Sequence, residues 1–235
     1  MLLCFGSSTM LPRVPELMCD VDHRAPPAYV SRGAIKLENA LAASGLHVSG
    51  RRALDVGAST GGFTDCLLRQ GATGVVAVDV GYGQLDWGLR NDPRVSVLER
   101  TNARTLTPQM LPYQPDLAVI DVSFISLIKV LPAVLACMTA RHDVLALIKP
   151  QFEVGRVLAS KGRGVVRDPE HRRAALVSVG EAARGLGAAV LSYHSSGLAG
   201  PKGNKETFVW LAEPGRPGAA ADVGELESMA RRVEP

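Results

Sequence analysis

Leu54-Asp55-Val56-Gly57-Ala58-Ser59-Thr60-Gly61-Gly62-Phe63-Thr64 reads as a buried strand, a tight glycine-rich turn and the first turn of a helix. Such a turn lets a ligand lie against bare backbone, and the helix start offers unpaired N–H groups to an anionic end. Seventeen residues beyond Gly62, Asp79 closes a second apolar run, Gly74-Val75-Val76-Ala77-Val78. An acid at that strand end is placed to accept hydrogen bonds from ribose hydroxyls. Dinucleotides and S-adenosylmethionine are both held in this way. The dinucleotide fingerprint wants glycine at its third position, where this chain has Ser59, so the spacing suits a nucleoside cofactor without a pyrophosphate. Asn102 follows a third apolar run and belongs with the ligand contacts that collect at strand carboxyl ends. Two more charges stand at such ends. Asp121 finishes the run 116–122, and Lys149 follows Val144-Leu145-Ala146-Leu147-Ile148. A lysine there must bury its stem, and pairing its head with Asp121 offsets the cost. A purely structural ion pair satisfies the same pattern.

The elements that must carry these residues alternate between strand and helix. Strands are expected at about 52–57, 74–79, 95–98, 116–122, 143–148, 188–193 and 207–211. Helices are expected from Ser31, read as an N-cap, to Gly45, and over about 62–70, 126–138, 169–186 and 223–232. Pro132 is an anomaly inside the 126–138 helix, and 151–166 reads as a long polar loop. Tyr82 and Trp87, after the second strand, suit the wall of an adenine site and the core equally. The connection 194–206 holds Gly197, Gly200, Pro201 and Gly203 and is too irregular for a crossover helix, so the last two strands should pair antiparallel. The fold class is α/β, a doubly wound, Rossmann-like and mostly parallel seven-stranded sheet. Residues 1–29 are expected to be an irregular arm, 30–213 the catalytic domain and 214–235 a tail.

Composition narrows the function. A net charge of +3 permits nucleic-acid binding without demanding it. Cys4, Cys19, Cys66 and Cys137 show no metal-ligand spacing, so reduced thiols and a cytoplasmic location are expected, with no metal. No apolar run approaches a membrane span, and no membrane partner is expected.

The chain resembles the TlyA-type hemolysin family, S-adenosylmethionine-dependent ribosomal RNA 2′-O-methyltransferases related to the FtsJ-like enzymes. The resemblance is carried by Val30-Ser31-Arg32-Gly33-Ala34-x-Lys36-Leu37, by 55–64, by Asp79-Val80-Gly81-Tyr82-Gly83-Gln84-Leu85 and by Asn91–Val95 with Glu99–Arg104. It continues through Asp121-Val122-Ser123-Phe124-Ile125-Ser126-Leu127, Lys149–Gly155, Gly164–Pro169 and Gly203-Asn204-x-Glu206-x-Phe208-x-Trp210-Leu211. It implies a class I methyltransferase fold, S-adenosyl-L-methionine held by Gly57, Ala58, Ser59, Thr60, Gly61, Gly62, Phe63, Asp79, Val80, Asn102 and Asp121, and a catalytic set of Lys36, Asp121, Lys149 and Glu206. Lys149 would be the central group, either as base or as a cation facing the developing alkoxide. The implied acceptor is a ribose 2′-hydroxyl of RNA, free or in a ribosomal subunit. Two departures bear on that acceptor. Family members normally begin with a small RNA-binding domain, for which residues 1–29 are too short, and Ile35 replaces the usual histidine. RNA contacts are therefore expected from Arg32 and from the basic stretch Arg156–Arg173, with Arg156, Lys161, Arg163 and Arg167 facing phosphates. A small-molecule acceptor on the same fold is the alternative. The oligomeric state is not specified.

Overall fold

Five runs rich in Val, Leu, Ile and Ala are too apolar for a half-exposed sheet, and they fold as a parallel array covered on both faces. The computed structural model describes residues 29–200 and 202–234; the arm expected at 1–29 lies outside them except for Tyr29. Strands β1 (Arg52–Val56), β2 (Gly74–Val78), β3 (Val95–Leu98), β4 (Leu117–Ile120), β5 (Asp143–Ile148), β6 (Ala189–Ser195) and β7 (Thr207–Ala212) form one seven-stranded sheet in the order β3-β2-β1-β4-β5-β7-β6. Neighbours from β3 to β5 are parallel, and β7 runs antiparallel to both β5 and β6, as the irregular 194–206 connection requires.

Helices α1 (Gly33–Ser44), α2 (Gly62–Arg69) and α3 (Trp87–Arg90) lie on one face, with Leu37, Phe63, Leu67, Leu117, Leu145 and Phe208 in the layer beneath. The other face takes α4 (Leu131–Cys137), α7 (Pro169–Gly185) and α8 (Val223–Val233) over Leu54, Ile120, Ile148 and Val209. Short helices α5 (Pro150–Glu153) and α6 (Arg156–Lys161) occupy the segment expected as loop. Pro150 at the first turn of α5 presets the helical φ, and the polar composition had masked the two turns. The segment after Pro214 brings Leu226 and Ala230 of α8 into the main core.

Two further expectations are corrected. Ser31 is not a side-chain cap; Arg32 holds the N-cap position, and the Ser31 carbonyl accepts from Ala34 N–H at 3.2 Å. The 126–138 segment is not one helix. A 3-10 turn at Leu127–Lys129 precedes α4, and Pro132 sits in the first turn of α4, where a missing N–H costs nothing.

Candidate active site

Strand alternation does most of the positioning. Side chains two residues apart share a face, so Asp121 continues the face of Leu117 and Val119, and Lys149 that of Leu145 and Leu147. Glu206 continues the face of Phe208, and α1 with Lys36 packs on this same face. The β5–β7 register pairs Ile148 with Thr207, so one step further the two chains bring Lys149 and Glu206 abreast. All four implied catalytic residues thus share one rim and one face of the sheet.

They are arranged as two ion pairs. Lys149 Nζ lies 2.6 Å from Asp121 Oδ1 and donates to Ser123 Oγ at 2.9 Å. Lys36 Nζ donates to Glu206 Oε2 at 2.5 Å. Lys149 is 9% exposed, Lys36 8% and Glu206 2%, so each lysine head is held by a carboxylate largely out of water. Lys36 occupies the buried stripe of α1 with Leu37, Ala40 and Leu41, an i, i+3, i+4 spacing visible in sequence yet obscured by its charge. Glu206 has no comparable sequence signal.

Beside the Lys149–Asp121 pair opens a cleft of about 480 Å³, within the range of ligand pockets. Gly57, Ser59, Asp79, Val80, Asn102 and Asp121, all expected at the cofactor site, line it. Gly57 has φ +88°, and a Cβ there would stand 2.5 Å from the Asp121 carbonyl oxygen, so bare backbone forms the floor. Asp79 is at the end of β2, its carboxylate accepting from Ser59 N–H at 2.8 Å and Gly81 N–H at 2.6 Å. A carboxylate has further lone pairs for ribose hydroxyls. These residues fit a nucleoside cofactor.

Ala58, Thr60, Gly61, Gly62 and Phe63 do not line the cleft. The chain turns into α2 there, with Ala58, Gly61, Gly62 and Phe63 buried and Thr60 exposed. A Cβ on Gly61 would meet Leu89, one on Gly62 would meet Ser31 Oγ, and the Phe63 ring lies 5.9 Å from that of Phe208. Tyr82 and Trp87 are exposed rather than core residues; neither lines the cleft, and Arg100 stacks over Tyr82 at 4.3 Å.

The basic stretch is divided. Arg163 and Arg167 are exposed, as is Arg32, while Arg172 is buried against Glu234 and Arg173 pairs with Glu170 at 2.5 Å. The side chains of Arg156 and Lys161 lie outside the described residues.

Sequence reasoning passed over three residues of the site. Ser123 holds Lys149, although it stands in the same motif as Asp121. Phe124 has φ +64°, is 92% exposed, lines the cleft and packs on Phe152 with ring centroids 5.4 Å apart. Its only signal was its place in the Asp121–Leu127 motif.

Asp55 is the third. It is fully buried, accepts from Thr64 Oγ1 at 2.7 Å, and has its carboxyl pushed up to about 7 by burial, reinforced by Asp121 and Asp79. A carboxyl held above its ordinary value binds its proton more tightly folded than unfolded. Its contribution to stability is full below about pH 4 and is lost as pH rises toward about 7. Asp55→Asn is therefore expected to gain of order 1–3 kcal/mol over the parent at pH 8 and nothing at pH 4, read by urea unfolding at both pH values. Equal effects at the two pH values would show that the carboxyl is not so displaced.

The FtsJ-like methyltransferase profile matches residues 29–213. The chain belongs to the FtsJ-like methyltransferase family. It is 55% identical over 184 residues to the Mycobacterium tuberculosis 16S/23S rRNA (cytidine-2′-O)-methyltransferase TlyA, an overlap of 78% of this chain and 68% of that one. It is 36% identical over 182 residues to the Campylobacter jejuni 23S rRNA (cytidine-2′-O)-methyltransferase TlyA, covering 77% and 70%. A solved chain from Streptococcus thermophilus is 40% identical with a TM-score of 0.81, covering 89% of this chain and 75% of that one. The seven-stranded sheet is the Rossmann-like fold of S-adenosylmethionine-dependent methyltransferases, and this FtsJ-like enzyme is a methyltransferase with that cofactor. Among the described residues no helix is long and apolar enough to cross a membrane.

Proposed function

We propose that this FtsJ-like methyltransferase methylates a ribose 2′-hydroxyl in ribosomal RNA, with Lys149 as the central catalytic residue. The observation that carries the reading is the placement of the Lys149–Asp121 and Lys36–Glu206 pairs on one sheet rim, the first of them beside a nucleoside-sized cleft. The TlyA relatives' named activity on rRNA cytidines agrees with it.

S-adenosylmethionine, when bound, supplies an electrophilic methyl group. Gly57, Asp79 and Asn102 would hold it. A sugar hydroxyl is a weak nucleophile and must shed its proton as it attacks. Lys149 Nζ is the atom that takes this proton or faces the developing alkoxide, and Asp121 and Ser123 fix its direction. Lys36 and Glu206 position the acceptor ribose from the α1 side. Holding the hydroxyl in line contributes much of the acceleration.

Phe124 supports an RNA acceptor over a small one. An exposed ring at the cleft mouth offers a stacking surface to the target base. Arg32, Arg163 and Arg167 are exposed cations available to phosphates. Phe124→Ala is expected to raise KM for RNA about tenfold, in line with the loss of one base stack, while cofactor affinity stays unchanged. An unaltered KM would remove Phe124 from the acceptor site.

The deciding experiment offers tritiated S-adenosylmethionine to the full chain with ribosomal RNA, with ribosomal subunits and with a small-molecule extract. Label on RNA, mapped by mass spectrometry to a 2′-O-methylated nucleotide, is expected. Label confined to small molecules would overturn the RNA reading and favour a biosynthetic acceptor.

A further inference from the structure

The Gly164–Pro169 and Gly203–Glu206 segments lie far apart in sequence and outside the cleft lining, yet they are stitched together directly ahead of Glu206. Asn204 is 2% exposed. Its Oδ1 accepts from Val166 N–H at 2.9 Å, and its Nδ2 donates to the Gly164 carbonyl at 2.7 Å. One side-chain amide therefore satisfies a donor and an acceptor of the same loop, which an ionised carboxylate in its place would not do. The Asn204 carbonyl in turn accepts from Gly200 N–H at 2.8 Å, and Gly203 N–H donates to the Gly200 carbonyl at 2.8 Å. This tight turn delivers Glu206 to Lys36. Gly200 sits against the Glu206 carboxylate itself, since a Cβ there would stand 2.3 Å from Oε1.

The loop that Asn204 grips is secured from its other side. Arg172 is 8% exposed and donates through Nη1 to the carbonyls of Val166, at 3.2 Å, and Arg167, at 2.5 Å. Its Nε and Nη2 both reach Glu234 Oε2 at 3.0 Å, and Glu234 is itself buried at the end of α8. Arg173 adds a hydrogen bond to the Glu234 carbonyl at 2.8 Å. A continuous path of buried and partly buried polar contacts thus runs from Glu234 through Arg172 and the 164–167 loop to Asn204, two residues ahead of Glu206 in the chain.

We propose that Asn204 is a positioning residue that holds Glu206 on Lys36, and that the Arg172–Glu234 pair sets the loop on which Asn204 depends. The proposal rests on the reading of Glu206 as a member of the catalytic set. Buried polar networks of this kind hold their members in one geometry only when every partner is present. Removing Asn204 leaves the Gly164 carbonyl and Val166 N–H unpaired and frees the turn ahead of Glu206.

The test is a double-mutant cycle on the full chain, with methyl transfer to ribosomal RNA, calorimetry with S-adenosylmethionine and thermal unfolding on each variant. Asn204→Ala and Glu206→Gln are each expected to lower kcat about 10- to 100-fold, with cofactor affinity unchanged within about twofold. Because both act through the same carboxylate, Asn204→Ala should cost nothing further in the Glu206→Gln background. A merely structural Asn204 would instead multiply its effect there, and that result overturns the proposal. Normal turnover in Glu206→Gln would overturn the catalytic reading of Glu206 itself. If Glu206→Gln is impaired while Asn204→Ala is not, the positioning role alone falls. Should Asn204→Ala fail to unfold cooperatively, Glu234 decides. Glu234→Ala is expected to lower kcat about threefold to tenfold, with most of it restored in Glu234→Gln, which keeps an oxygen for Arg172. Wild-type kcat in Glu234→Ala would overturn the proposal.

Discussion

Lys149→Ala is expected to lower the rate of methyl transfer by about 10³-fold or more while leaving S-adenosylmethionine affinity within about threefold of the parent. The separation follows from geometry. Gly57 forms the cleft floor and Asp79 is the acid proposed to hold the ribose, whereas Lys149 meets the cleft through its pair with Asp121 and its bond to Ser123. Removing the ammonium takes away the proton acceptor or the facing cation and leaves the cofactor's own contacts in place. Asp121 would then be a half-buried carboxylate without its partner, so some loss of stability accompanies the change. Stopped-time assays with labelled cofactor and calorimetry on the same sample separate the two effects. Turnover within about tenfold of the parent would remove Lys149 from the chemistry. Lys149→Arg serves as the companion. A guanidinium keeps the positive charge but resists deprotonation. Recovery of activity in Lys149→Arg would assign the residue as a cation, and its failure to recover would favour the base.

Gly57→Ala is expected to be the most damaging single-methyl change in the cofactor turn. Two costs combine. The backbone sits at φ +88°, which an L side chain adopts only under strain, and the added Cβ would approach the Asp121 carbonyl oxygen to 2.5 Å. That oxygen belongs to the backbone of Asp121, whose carboxylate pairs with Lys149, so it cannot swing aside as a flexible side chain would. Gly83, with φ +69° and nothing within 4 Å of its Cβ direction, isolates the first cost. Gly83→Ala is expected to lose about 1 kcal/mol, and Gly57→Ala about 3 kcal/mol or more, with cofactor affinity weakened at least tenfold only in the second. Urea unfolding and calorimetry on the two variants make the comparison. Equal losses would mean that the close approach carries no energetic weight and that φ alone governs both sites.

The order of strands and helices was legible in the chain because local patterns decide it. Runs such as Val144–Ile148 can only be strands buried on both faces, and Gly57 and Asp79 mark strand ends where ligands collect. Two of the errors share one cause. Pro132 was read as an anomaly inside a helix and the segment after Pro150 as a loop, yet each proline starts a helix, because proline is disruptive only when its missing N–H is needed. Asp121 and Lys149 declared themselves by standing at the ends of apolar strands. Lys36 and Glu206 did not, and only resemblance to a family assigned them a role in advance.

What the sequence by itself determined is the seven strands and the longer helices, the cleft-forming turn and the two charges that terminate β4 and β5. These follow from hydrophobic period and from the backbone freedom of glycine, both of which act over a few residues. The tertiary structure decided the rest. It packed Gly61, Gly62 and Phe63 against Leu89, Ser31 and Phe208, withdrew Arg172 from the basic stretch into a buried pair with Glu234, and set Lys36 against Glu206 across 170 residues of chain. The physical reason is that a charge reveals its purpose only through its partner. Desolvation must be offset by a group on another element, and which element arrives is settled by sheet order and register rather than by neighbours in the chain.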